Sequence, residues 1–425
     1  MALSKPRETA LTVLVEVERD GAYLNLSLED ALAKAGMDQK DSALCSRLCI
    51  GVMRSRAYLD HIISKLSTVK LKKLSVYILN ILRIGVFSLR FMDRIPAAAT
   101  VNECVKLARR YGHSSSAAYV NALLRRASDS GDFLDGLKGN ELLAVKYSMP
   151  LWLVEKWSRE QPDAESLLAA MNAEPETYCR LNCGGLVEGF EPTDISPYTV
   201  IWRGNGGVTA SEAYKNGFVT VQDAASQLCV LAMGIKKGDK VLDLCAAPGG
   251  KSVFAAYLGG EVTALDLHEH RVELIENTAA RLGVSLNADT GDALIYNPDF
   301  EGRFDIVLAD VPCSGLGIIR RKPDIKWTKT EEDGAALAKI QQGILSNAAR
   351  YLKPGGRLIY STCTISKAEN EGMTKWFLKK HENFAPAPLG IKFAENEAQL
   401  QLRPDKHPSD GFFIAAFERK EQSND

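Results

Sequence analysis

The chain has 425 residues, 46% hydrophobic and 25% charged, with a formal net charge of -1 at pH 7. This is the composition of an ordinary globular protein of two or three domains, and it excludes a disordered, collagen-like or disulfide-stapled chain. No apolar stretch reaches the roughly 18 residues needed to cross a bilayer, so no membrane association is expected.

The greasiest run, 78–89, is interrupted by Asn80 and Arg83. The N-terminus lacks the apolar core and small-residue cleavage site of a secretory signal. Nine cysteines without framework spacing suit a reducing compartment, and a cytoplasmic location is expected. Charge is uneven: residues 1–140 hold 21 Lys and Arg against 14 Asp and Glu, the remainder 31 against 39. A basic first third on an acidic remainder fits either a nucleic-acid contact or a solvated helical surface.

Residues 1–140 read as helices. Ala10, Leu11, Leu14 and Val17 recur at helical spacing after a start at Ser4 and Pro6. Leu74, Ile78, Ile81, Leu82 and Gly85 mark a buried helix, Val101, Val105 and Ala108 another, and Tyr119, Leu123 and Leu124 a further one. Basic residues gather at Lys70, Lys72 and Lys73, at Arg109 and Arg110, and at Arg125 and Arg126. Residues 141–218 read as a small α+β connector, with a helix opened by Pro150 and carrying Trp152 and Trp157, then strand-like stretches at 178–182 and 198–202.

From 219 to 425 strands and helices alternate. Strands are expected at 240–244, 261–265, 304–309 and 357–361, and helices at 251–258, 269–282 and 334–352. This repeat specifies an α/β domain with a parallel, Rossmann-like sheet, and Pro354-Gly355-Gly356 separates a helix from a strand. A polar tail closes the chain at 421–425.

Chemistry concentrates at three strand ends. The first strand leads into Cys245, Ala246, Ala247, Pro248, Gly249, Gly250 and Lys251, small residues that let backbone approach a ligand. Asp266 ends the second strand, where an acid commonly meets ribose hydroxyls. Asp292, in Gly291-Asp292-Ala293, offers a carboxylate for an adenine ring. The loop departs from a phosphate-binding P-loop, because Cys245 stands at the first required Gly and Pro248 removes an amide donor. A phosphate-free adenosyl ligand, S-adenosyl-L-methionine, tolerates both changes.

Two cysteines follow later strands, Cys313 in Asp310-Val311-Pro312-Cys313-Ser314-Gly315 and Cys363 in Ser361-Thr362-Cys363-Thr364. Buried cysteines are commonly small hydrophobes, as expected for Cys104 and Cys229. Thiols at two strand ends beside a methyl donor have a chemical use. Addition of a thiolate to C6 of a pyrimidine makes C5 nucleophilic, and a base must later take the C5 proton so that the thiolate leaves. Asp310 is placed to hold cytosine N3 as charge develops, or it is simply a turn residue. Either thiol could be the nucleophile on chemistry alone. Arg320, Arg321, Lys322 and Trp327 suit a phosphate backbone and a stacked base, unless they form a solvated loop. His268-Glu269-His270 is expected to cap a helix. The Cys45/Cys49 and Cys179/Cys183 spacings are not those of zinc sites, and no metal is expected.

The motifs at 242–251, 310–315 and 361–364, with the lead-in 221–227, resemble those of the RNA cytosine-5 methyltransferases. The first third resembles the helical RNA-binding domain of the NusB family, most closely at 95–103 and 119–125. The combination is similar to the bacterial Fmu/Sun-type enzymes. The resemblance implies methylation of C5 of one cytosine in 16S ribosomal RNA, on naked RNA or a partly assembled subunit. It implies that 245–251, Asp266, Asp292 and Asp310 contact S-adenosyl-L-methionine, that Cys363 is the nucleophile, and that Cys313 assists product release. Ser252 stands where that family commonly has Thr. Transfer RNA or 23S rRNA as substrate, an RNA-dependent ATPase, and a non-catalytic assembly factor are the alternatives.

Overall fold

The computed structural model describes residues 3–129 and 131–421, so most of the polar tail lies outside the described residues. The chain forms two compact units, Met1–Ala173 with Ile319–Lys329, and Glu174–Ile318 with Thr330–Asp425.

The first unit is helical, as expected. Helices run over Lys5–Asp20, Leu24–Ala35, Gln39–Leu66, Val76–Phe91, Ala97–Tyr111 and Ser116–Asp129, then Gly139–Lys146, Leu151–Glu160 and Ala164–Asn172. The apolar faces of the first six share one core around Leu11, Leu14, Leu48, Val52, Ile81, Leu82 and Leu124. Gly51 makes the closest approach: a Cβ there would sit 2.0 Å from Phe87 Cζ. The polar breaks in the run 78–89 are satisfied internally. Arg83, 3% exposed, forks onto Asp60 at 2.7 and 2.8 Å and reaches Glu18 at 2.7 Å, while Asn80 also donates to Glu18. A buried cation is tolerated only when paired and hydrogen-bonded in this way. No described helix is long and apolar enough to cross a membrane.

The stretch 317–327, expected to meet a phosphate backbone, is from Ile319 on built instead into this helical unit, as segment 319–329. Asp324 accepts the amide of Leu24 at 3.2 Å and so caps a helix whose own N-cap residue, Tyr23, offers no side chain. Lys326, fully buried, donates to the Arg54 carbonyl at 2.9 Å and to Asn172 Oδ1 at 3.2 Å. Trp327 Nε1 donates to the Met53 carbonyl at 2.8 Å, and Arg56 lies over its ring at 5.3 Å. Of the basic run, Arg320 is buried and only Lys322 is exposed. A charged sequence can thus be a structural staple when backbone carbonyls receive its donors.

The stretch expected as one connector over 141–218 is divided. Its helices lie with the first unit, and its strands open the second. Strands β1 (Tyr178–Leu181), β2 (Phe190–Pro192), β3 (Thr199–Trp202) and β4 (Val219–Val221) form an antiparallel sheet in the order β2-β3-β1-β4.

The larger sheet holds β5 (Lys240–Asp243), β6 (Glu261–Asp266), β7 (Asn287–Thr290), β8 (Phe304–Asp310), β9 (Leu352–Thr362), β10 (Phe384–Pro386), β11 (Gln399–Leu402) and β12 (Phe412–Arg419). Its order is β10-β12-β9-β8-β5-β6-β7, with β11 beside β12. Strands β5 to β9 are parallel, but β12 runs antiparallel between β9 and β10. The sheet is therefore mixed, not wholly parallel. Pro354-Gly355-Gly356 lies inside β9, since helix Asp333–Tyr351 ends directly before that strand. The strand order reverses between β5 and β8, and ligands of open α/β sheets bind in the crevice at that switch point.

Candidate functional site

The crevice is made by the turn after β5 and by the ends of β8 and β9. Asp243 ends β5 with its side chain 1% exposed. It accepts the Ser252 hydroxyl at 2.6 Å and the Cys245 amide at 3.4 Å. Burial pushes its carboxyl up to about 6, opposed by the Ser252 hydrogen bond. The carboxylate ties the start of the turn to helix Gly250–Tyr257, and Ser252 serves that tie through its hydroxyl.

The turn 245–251 is fixed by backbone bonds. Ala246 N donates to Leu265 O at 2.8 Å, Ala247 N to Asp266 Oδ2 at 3.1 Å, and Gly249 N to Ala246 O at 2.8 Å. The Pro248 carbonyl accepts the Thr278 hydroxyl at 3.4 Å. Gly249 has φ +96°, a left-handed conformation that Gly adopts without strain. Gly250 opens the helix, and its carbonyl accepts from the buried Arg180 at 3.1 Å. Burial depresses Arg180 to about 9. The Cys245 thiol is raised well above its usual range by burial.

Asp266, 2% exposed, is already engaged on both oxygens, by Ala247 N and by Arg271 Nη1 at 3.1 Å. A ribose hydroxyl would share it with Arg271. Asp292 accepts the Leu294 amide at 2.8 Å. It borders a cavity of about 300 Å³ with Leu244, Leu265, Gly291, Ala293 and Ile295. An apolar slot rimmed by a carboxylate suits a purine with an exocyclic amine.

On the other side of the switch point, Lys251 Nζ meets Asp310 Oδ2 at 2.6 Å, and the Ser361 hydroxyl donates to Asp310 Oδ1 at 2.7 Å. Burial works against the Lys251 ammonium, but the Asp310 carboxylate outweighs it and raises its proton affinity. Asp310 pairs in register with Ser361, so the three residues beyond β8 and the residue beyond β9 leave the sheet together. Cys313 Sγ and Cys363 Sγ are 3.0 Å apart, and the Cys363 amide points at Cys313 Sγ at 3.2 Å. Both thiols are half-buried. The hydrogen bond with Cys363, burial and Glu369 together push the Cys313 thiol well above its usual range.

Two further cysteines lie deeper, and Cys229 packs behind the site against Ser361, Lys251 and Asp310. Cys104 and Cys229 are fully buried, and burial raises both thiols to about 12. His268 precedes helix Glu269–Leu282 but makes no side-chain cap; its ring stacks on His270 at 5.5 Å. No group of three or more His, Cys, Asp or Glu that could hold a metal occurs among the described residues.

Sequence reasoning missed the supports behind the thiols. Glu369, 1% exposed, accepts the Ser314 amide at 2.9 Å, the Ser314 hydroxyl at 2.6 Å and Gln341 Nε2 at 3.1 Å. Asn370 accepts the Thr362 hydroxyl at 2.6 Å and donates to the Thr364 carbonyl at 3.0 Å. Gly317 N donates to the Cys363 carbonyl, and its own carbonyl accepts from Gly411 N, both at 2.9 Å. Phe412 follows Gly411, with Lys251 Nζ 5.3 Å from its ring centre. The adjacent acids of Glu369-Asn370-Glu371, six residues past Cys363, were the one available signal.

Residues 230–418 match the family described as 16S rRNA methyltransferase RsmB/F, and residues 4–129 match the NusB family. The chain is 33% identical to a probable ribosomal RNA small subunit methyltransferase B of Bacillus subtilis, over 99% of this chain and all of that one. Among solved structures, PH0851 superposes with a TM-score of 0.82 at 25% identity, covering 99% of both chains. The structure of NSun6 from Pyrococcus horikoshii with SFG shares the fold, with a TM-score of 0.56 at 20% identity over 64% of this chain and 99% of that one. With near-complete coverage of a full-length relative and both of its parts matched, the chain belongs to the ribosomal RNA small subunit methyltransferase B family.

Proposed function

We propose that the protein methylates C5 of a cytosine in 16S rRNA, drawing the methyl group from S-adenosyl-L-methionine, with Cys363 as nucleophile. The observation that carries this reading is the pair of thiols 3.0 Å apart at the ends of β8 and β9, beside the Lys251–Asp310 pair. A single catalytic thiol suffices to add to a pyrimidine, and a second one in contact with it is placed to assist when that thiol leaves.

The turn 245–251, Asp266 and Asp292 fit the adenosyl donor: close backbone, a buried acceptor at the end of β6, and an apolar slot with a carboxylate rim. NSun6 crystallised with SFG supports the same ligand class. When bound, S-adenosyl-L-methionine supplies an electrophilic methyl group. The chain's residues do the rest. Cys363 Sγ forms a bond to C6, and the electron pair of the C5=C6 bond becomes available at C5. Asp310, held by Lys251 and Ser361, faces the base and stabilises the proton at N3 as charge develops. Once C5 carries the methyl group, a base takes the C5 proton, the C5=C6 bond re-forms and the Sγ–C6 bond breaks. Cys313, with its raised proton affinity, assists that release.

The target base must leave its stack to bring C5 and C6 to the thiols. Exposed Lys70, Lys72, Lys73, Arg109 and Arg125 of the helical unit support a phosphate contact that weakens with salt. An rRNA substrate puts the reaction in the cytoplasm. The test is methyl transfer from labelled donor to 16S, 23S and transfer RNA from a strain lacking the gene. Label in one 16S cytosine supports the proposal. Label only in 23S or transfer RNA moves the substrate, and no label with donor binding intact supports an assembly factor.

A further inference from the structure

We propose that Glu369 is the positioning residue for the release thiol, its carboxylate holding the Pro312–Ser314 turn that carries Cys313 against the end of β9. The inference rests on the reading of Cys313 as the thiol that frees the product.

Glu369 follows Cys363 through a turn closed by Glu369 N to Ser366 O at 3.1 Å. Its carboxylate then reaches back to the other thiol's strand end. Oε2 takes the Ser314 amide and Gln341 Nε2, and Oε1 takes the Ser314 hydroxyl. Gln341 Nε2 also donates to the Pro312 carbonyl at 3.0 Å, so the residues on both sides of Cys313 are bound through this one cluster. Thr364 joins it, with its hydroxyl 2.8 Å from Ser314 Oγ, and Tyr360 donates to the Glu369 carbonyl at 2.6 Å. Residues on both sides of each thiol are therefore tied to one another behind the reacting face.

Every partner of the Glu369 side chain is neutral. A carboxylate taken out of water with no cation is costly unless its lone pairs are filled, and here three donors fill them. A purely structural link between two loops would need no charge, because a neutral amide could bridge them. The charge has a second effect: Glu369 adds to the proton affinity of Cys313. The titratable groups that face Cys313 are Cys363, Glu369 and Tyr360, and Tyr360 is itself raised well above its usual range by burial. None of these is a cation. The carboxylate behind the Pro312–Ser314 turn therefore raises the proton affinity of Cys313 alongside burial and the contact with Cys363.

Two variants of the full-length enzyme separate positioning from charge. Glu369→Ala leaves the Ser314 amide without its acceptor and the Ser314 hydroxyl with Thr364 alone, and loss of placement on the order of 1 Å is expected to lower turnover ~10²-fold. Labelled RNA should then accumulate as a denaturation-resistant protein adduct, as in Cys313→Ala run alongside. Glu369→Gln keeps the shape and removes the charge. Peptide-resolved alkylation of Cys313 across pH should show its midpoint moving to lower pH in Glu369→Gln relative to wild type. Turnover without adduct in Glu369→Ala, or an unmoved or raised midpoint in Glu369→Gln, overturns the proposal. If Cys313→Ala itself forms no adduct while the Glu369→Gln midpoint still falls, the error lies in the reading of Cys313, and the control of its thiol by Glu369 stands.

Discussion

Gly317→Ala tests whether the two strand ends are held at a fixed distance. A Cβ on Gly317 would lie 1.9 Å from the Gly411 carbonyl oxygen, 2.6 Å from its carbon and 2.8 Å from the Cys363 carbonyl oxygen. All three are backbone atoms, so no side chain can swing aside. Reaching ordinary contact at 3.4 Å requires Gly317 and Gly411 to part by about 1.5 Å. The same movement stretches the Gly317 N to Cys363 O and Gly411 N to Gly317 O bonds, each now 2.9 Å. Overpacking of this kind costs ~1–3 kcal/mol of stability. A displacement of about 1 Å at a reacting group costs ~10²-fold in rate, so kcat for methyl transfer should fall by at least that factor. The turn 245–251 and Asp266 make none of these contacts, so affinity for the methyl donor, read by calorimetry, should stay within about twofold. Wild-type turnover in a Gly317→Ala enzyme that melts normally would refute the reasoning.

Three further expectations follow from the geometry. Lys251→Met leaves Asp310 without its cation. A loss of ~2 kcal/mol in denaturant unfolding is expected, below the ~3–5 kcal/mol of a fully buried pair, because the Asp310 side chain is 24% exposed; methyl transfer should fall with it, and an unchanged enzyme contradicts the assignment. Asp243 has its folded-state carboxyl raised from 3.8 to about 6, so it binds a proton more tightly folded than unfolded, and its contribution to stability falls as pH rises through that window. Asp243→Asn lacks the effect, so its stability relative to wild type should improve by ~2 kcal/mol between pH 4 and pH 8; urea titrations at both values that show no trend, or the reverse, exclude it. Trp327→Ala removes the ring under Arg56 and the bond to the Met53 carbonyl. Since the residue is half-buried, ~2 kcal/mol is expected, less than the ~3–5 of a fully buried ring; an unshifted melting temperature would show that segment 319–329 is not a staple of the helical unit.

Much of the site was legible because each feature rests on local sequence. The small-residue turn, Asp266 and Asp310 sit at strand ends that apolar runs such as 304–309 mark plainly, and Cys313 and Cys363 fall in distinctive motifs. The structure adds that the thiols touch, which depends on the register Asp310 to Ser361 across a helix-long crossover and has no sequence signal. Strand β12 was missed although Phe412, Phe413, Ile414, Ala415, Ala416 and Phe417 are all buried. A strand apolar on both faces has no alternation to read, and its antiparallel direction is invisible in composition. The basic run from 320 misled for the opposite reason: charge predicts exposure, but Arg320 and Lys326 are buried, Lys326 donating to the Arg54 carbonyl while the Arg320 carbonyl accepts from Arg54. Glu369 carries no local signal of its partners, because Ser314 and Gln341 lie 55 and 28 residues away.

The central claim is that Cys363 attacks the target base while Cys313 frees it. The most direct measurement is to incubate Cys313→Ala enzyme with 16S rRNA and labelled methyl donor, denature, digest, and map the cross-linked peptide by mass spectrometry. The account predicts one adduct, joining Cys363 to a cytidine that already carries the methyl group. An adduct at any other residue, or full turnover with none, would contradict it.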